Sequence, residues 1–142
     1  MKMNLAAIAV AALVCFIMGA LWYSPLLFGN TYLTLRGLDA GASAASPAPA
    51  ALVAEFVRCV IVAYTFAYFL LRVRIDSTRR AVALAVRVWI GFQAFMLLGS
   101  VLHESYPLGL FAIHAGDALA KAVLNCLILT WWHKRAGLVG GP

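Results

Sequence analysis

Residues 110–132 read "LFAIHAGDALAKAVLNCLILTWW". The run is long enough for a helix that crosses a bilayer, which needs about 20 residues. It nevertheless carries a histidine, an aspartate and a lysine. At about 100° per residue, His114, Asp117, Lys121 and Asn125 fall within an arc of about 80°. They make one narrow polar stripe. Asp117 precedes Lys121 by four positions, the spacing and order that let an acid and a base pair along a helix. A charge facing hydrocarbon costs about 2.5–3.5 kcal/mol on the insertion scale, so the stripe is expected to face other helices.

The rest of the chain supplies those helices. The protein has 142 residues, 65% hydrophobic and 11% charged, where soluble domains carry about 25% charged residues. Three further apolar runs cover residues 5–23, 51–71 and 82–102. With 110–132 they predict an all-α membrane protein, a single transmembrane domain of four helices in an up-and-down bundle. The net charge of +6 does not indicate a nucleic-acid partner. Its basic residues gather at the ends of apolar runs, where membrane topology puts them. Cys15, Cys59 and Cys126 lie inside apolar runs with no CxxC or Cys/His pairing, so they read as buried thiols rather than metal ligands.

The first run, "LAAIAVAALVCFIMGALWY", follows Lys2 and resembles a signal peptide in outline. It is longer than a typical signal core, and Met18 suits a cut after Ala20 badly, so a retained helix is expected. Trp22 and Tyr23 read as an interfacial aromatic belt, and Pro25 ends or kinks the helix. Residues 36–50, "RGLDAGASAASPAPA", are rich in Ala, Ser, Gly and Pro and read as a loop. Within it, Ser46 and Pro47 suit the N-cap and first turn of the second helix. With the N-terminus inside, Lys2, Arg72, Arg74, Arg79, Arg80, Lys134 and Arg135 are cytoplasmic, and only Arg36 is in an outer loop. Both termini are therefore expected to be cytoplasmic and the 36–50 loop outside.

The stretch "GALWYSPLLFGNTYLTLRGL", residues 19–38, with "IHAG" at residues 113–116, resembles the domain of unknown function seventeen-sixty-one family of small bacterial membrane proteins. Its signature positions here are Trp22, Tyr23, Ser24, Pro25 and Gly29. The resemblance implies a four-helix membrane fold in a bacterial inner (cytoplasmic) membrane and transfers no catalytic residue. Physically, Pro25 removes a backbone donor, and Ser24 can satisfy a freed carbonyl. The segment is then a helix stop with an interfacial anchor, or a re-entrant turn facing a substrate.

Topology places Glu55, Arg58, His103 and Glu104 in the same outer half as His114, Asp117 and Lys121. With Asn125 they predict a polar pocket open to the outer side. A self-neutralising structural set is the competing reading. Haem ligation by His103 and His114 has only two histidines behind it, and no hydrolytic or metal motif is present. The expected function is a non-enzymatic membrane protein, an oligomeric or accessory subunit. Its partners would be the bilayer and a homo-oligomer or larger membrane complex, with no nucleic acid. Small-residue faces, Ala6, Ala7, Ala11 and Ala12, and Ala81, Ala83 and Ala85, suit such contacts. A small dimeric transporter or channel using the stripe is the alternative, and a membrane-embedded enzyme or haem-binding protein the third.

The topology is checked with a cysteine introduced at Ser43. It should react with an impermeant thiol reagent from the outside of intact cells. Reaction only after the membrane is opened would reverse the orientation.

Overall fold

The computed structural model describes residues 3–38 and 48–137. Within them the chain is helical: α1 (Leu5–Trp22), α2 (Gly29–Leu35), α3 (Pro49–Arg72), α4 (Thr78–Val88), a π-helix (Trp89–Ala94), α5 (Phe95–His103) and α6 (Leu108–Arg135). α4, the π-helix and α5 run on as one rod, Thr78–His103. That rod, α1, α3 and α6 are four helices long and apolar enough to cross a membrane.

Local chemistry sets the ends. The Asn4 side chain accepts from the Ala7 amide at 3.1 Å and caps α1, and the Ser77 side chain caps α4 in the same way. α3 begins with Pro49 in its first turn, where a missing N–H costs nothing. Ser46 and Pro47, expected to fill that role, lie outside the described residues. The short α2 was not anticipated, because Gly29 reads as a turn residue when only Pro25 and the loop beyond are weighed.

Ser24 organises the break after α1. Its hydroxyl donates to the Leu21 carbonyl at 2.7 Å and accepts from the Leu26 amide at 3.3 Å. Its own carbonyl accepts from the Leu27 and Gly29 amides. Pro25, with no amide hydrogen, sits where no donor is needed. The chain folds back so tightly that a Cβ on Gly29 would stand 2.5 Å from the Tyr23 carbonyl oxygen. Only glycine fits, and α2 starts there.

α6 is the central helix. It packs against α1, α3 and α4 and is the most buried of the four. Small residues bring the backbones close. Ala7, Ala11 and Ala12 of α1, Ala63 and Ala67 of α3, and Ala81 and Ala85 of α4 are all fully buried. The alanine faces expected to serve another chain are thus largely used inside this one, although Ala6 remains exposed. Bulky apolar side chains point outward instead, among them Val53, Val57, Ile61 and Phe95.

The connections sort to two ends. The end of α1, α2, the start of α3, the end of α5 and the start of α6 gather at one. Arg72, Arg74, Arg79, Arg80, Lys134 and Arg135 lie at the other. The first end holds the candidate site.

Candidate functional site

The expected pair on α6 forms. Lys121 Nζ donates to Asp117 Oδ2 at 2.9 Å, and both side chains are more than nine-tenths buried. The same ammonium donates to Glu55 Oε1 of α3 at 3.2 Å. Arg58, one turn along α3, holds Glu55 with two bonds, Nε to Oε2 at 2.8 Å and Nη2 to Oε1 at 2.6 Å. Two acids and two bases therefore make one network between α3 and α6. α1 makes way for it: a Cβ on Gly19 would lie 2.7 Å from Lys121 Nζ.

Deeper along α6, Asn125 Nδ2 donates to the Lys121 carbonyl at 3.0 Å and to Cys15 Sγ at 3.2 Å. Its oxygen has no partner. The three cysteines are free and buried.

Above the network, His114 sits in a cage of phenols. The Tyr23 hydroxyl and His114 Nδ1 are hydrogen-bonded at 2.6 Å. The Tyr32 ring meets the imidazole edge-on at 5.7 Å, and the Tyr106 ring stacks on it at 6.3 Å. Burial, with the Asp117 charge second, pushes the Tyr23 phenol above its usual pKa, and burial does the same to Tyr106. Both phenols stay protonated at neutral pH. Trp22 donates from Nε1 to the Ile113 carbonyl at 3.1 Å. Gly116 leaves room for the same indole, since a Cβ there would stand 2.9 Å from Trp22 Cζ2. Trp22 and Tyr23 are thus half-buried ties between α1 and α6, not the free belt expected of them.

The phenols, His114 and the four charged side chains line an open cavity of about 1230 Å³. Of the expected site residues, Glu55, Arg58, Glu104, His114, Asp117 and Lys121 line it. Asn125 lies below, in a small pocket of about 30 Å³ shared with Cys15, Cys59 and Gln93. His103 is exposed and lies outside the lining, so it and His114 do not face one ligand across the cavity. Among the described residues no three His, Cys, Asp or Glu side chains group as a metal site.

Gln93, Tyr32, Tyr106 and Arg36 line the same cavity without being expected there, and Tyr23, expected as a signature residue, joins them. Gln93 carried a usable signal: it is an uncharged polar residue in the middle of an apolar run. Its Oε1 is buried without a partner, as is Asp117 Oδ1.

The sequence model of the family described as "Protein of unknown function (DUF1761)" matches residues 6–130. The chain belongs to that family. No curated protein and no solved structure matches it. The DUF1761 match spans both the Trp22–Gly29 turn and the "IHAG" element, which the structure joins through Trp22, Tyr23, Ile113, His114 and Gly116.

The network predicts unequal costs for its two α6 members. Lys121→Met removes the one side-chain bond that Asp117 makes among the described residues and strands a buried carboxylate, a loss of about 3–5 kcal/mol. Asp117→Asn leaves Lys121 bound to Glu55 and should cost less, about 1–3 kcal/mol. Unfolding in mild detergent, followed by tryptophan fluorescence, checks the order. Equal or reversed losses would contradict the geometry.

Proposed function

We propose that this DUF1761 protein is a four-span membrane protein that binds an amphipathic small molecule in the cavity between α3 and the π-helix–α5 rod. One observation carries the reading. A charged, hydrogen-bonding floor lies beneath apolar walls whose rim residues face outward, with Phe92 74% and Met96 75% exposed. In a bilayer those rim residues meet lipid tails. A ligand with a polar head and an apolar body then has a path from the membrane into the cavity.

Other features support binding over conduction or catalysis. Glu55, Arg58, Asp117 and Lys121 are engaged with one another, which favours a fixed floor. Below the small pocket the core is filled by Cys126, Leu129 and Leu70, each fully buried. The Lys/Arg asymmetry supports cytoplasmic termini in a bacterial cytoplasmic membrane, with the cavity in the outer half. Outside the cavity, the exposed apolar faces of α1 and α3 suit cover by lipid or by another membrane chain.

A photoreactive diazirine fatty acid added to membranes tests the cavity directly. Adducts are expected on Leu97 and Ala118, which line it, as well as on outward residues such as Val57 and Ile61. Labelling confined to the outward residues would show that lipid does not enter.

A further inference from the structure

The cavity has two polar levels. At the floor, Glu55, Arg58, Asp117 and Lys121 are spent on one another, so an entering head finds no unmatched charge there. Of the charged residues in the lining this leaves Arg36 and Glu104. Polar groups stand open at the level above, around His114.

Those groups are mostly donors. Among the described residues the Tyr23 hydroxyl has one acceptor, His114 Nδ1 at 2.6 Å. Nδ1 therefore takes the phenol proton, and Nε2 carries the ring's own hydrogen. The Nε2–H has no partner among the described residues, and neither has the Tyr106 hydroxyl, whose ring stacks on the imidazole at 6.3 Å. Both residues are half-buried and line the cavity, and neither of these atoms is sealed in the core.

Arg36, just after α2, adds a cation. Its Nη1 donates to the Tyr32 hydroxyl at 2.9 Å, which leaves the Tyr32 proton to be donated in turn. The Tyr32 ring meets His114 at 5.7 Å, so the guanidinium belongs to the same cluster. The side chain is exposed, and its remaining N–H groups form a fork that suits two oxygens of one anion.

A cationic head is poorly served here. Arg36 already stands over the Tyr32 ring at 5.4 Å, and His114 already faces the Tyr106 ring. Glu104, exposed at the end of α5, is its one unpaired carboxylate among the described lining residues. A hydroxyl head has two lone pairs to set against several donors. An anion accepts from all of them.

Resting on the reading that the cavity binds an amphiphile, we propose that its head is an anion, a carboxylate or a phosphate. The head accepts from Arg36, His114 Nε2–H and the Tyr106 hydroxyl, and its chain lies along Phe92 and Met96 toward the lipid.

The test uses the full-length protein in lipid nanodiscs and four probes that share one diazirine-bearing chain. They end in a carboxylate, a phosphate, a hydroxyl or an amine. At about pH 9 the acid is ionised and the amine protonated. The readout is labelling of Leu97 and Ala118 relative to the outward Val57 and Ile61, which cancels differences in membrane uptake. At least one anionic probe should exceed the alcohol and the amine by about tenfold, the worth of a hydrogen bond to a charged group. The stronger of the two anions names the head. Arg36→Gln changes an exposed side chain, and Tyr106→Phe removes a hydroxyl unbonded among the described residues, so both should fold normally. Each should lower the anionic preference, Arg36→Gln the more. Equal ratios for all four probes, or a preference for the alcohol or the amine, would overturn the anionic head and leave the amphiphile reading standing. An anionic preference unchanged in both variants would overturn the assignment of these donors. Absence of cavity labelling by every probe would overturn both readings.

Discussion

Lys121 is the group on which the rest of this structure depends. A lysine ammonium in the interior of a helical bundle is tolerable only when its protons are met by charge. Here two carboxylates from different helices meet it, Asp117 from its own helix and Glu55 from α3. That requirement fixes how α3 sits against α6. It also brings the lysine terminus against Gly19 of α1, where a Cβ would stand 2.7 Å from Nζ and push the ammonium aside. Two of the four long helices are thus tied by one cation, and a third packs against it. Arg58 completes the balance by engaging the carboxylate that Lys121 shares.

The family-like segments serve the same end of the bundle. Ser24 and Gly29 reverse the chain sharply after α1. The reversal brings Trp22 onto Gly116 and Tyr23 onto His114, so two segments distant in sequence form one joint. That joint makes one side of the cavity, and the rod carrying the π-helix makes the other. The cavity follows from the way the chain closes each end: the far end is packed with alanine, leucine and cysteine, while the near end is held by polar ties around open space.

Much of this was legible in the sequence because a helix has one period and a bilayer one thickness. The four apolar runs identified the four long helices to within a few residues, and the 3.6-residue repeat put Asp117 and Lys121 on one face. Topology alone brought Glu55 to the level of Lys121. Other features depend on packing that no single-chain pattern reports. Trp22 and Tyr23 read as interfacial anchors, since nothing local says that a carbonyl and a glycine wait on α6 for the indole and an imidazole for the phenol. The alanine faces were read as contacts for another chain, because a small residue permits close approach without saying to which helix. The π-helix has no signature in "WIGFQA", and with it went the placement of Gln93. His103 shares its depth with His114, but depth does not fix direction, and it turns outward.

The central claim is that one ammonium joins α3 to α6, and solid-state NMR on protein in lipid measures this most directly. With the lysines labelled at Nζ and the carboxylates at their terminal carbons, dipolar recoupling reports which acids lie beside Lys121. The account predicts a protonated amine nitrogen in contact with both the Asp117 and Glu55 carboxyl carbons, each contact vanishing in the matching Asp117→Asn or Glu55→Gln protein. A neutral amine, or contact with Asp117 alone, would contradict it.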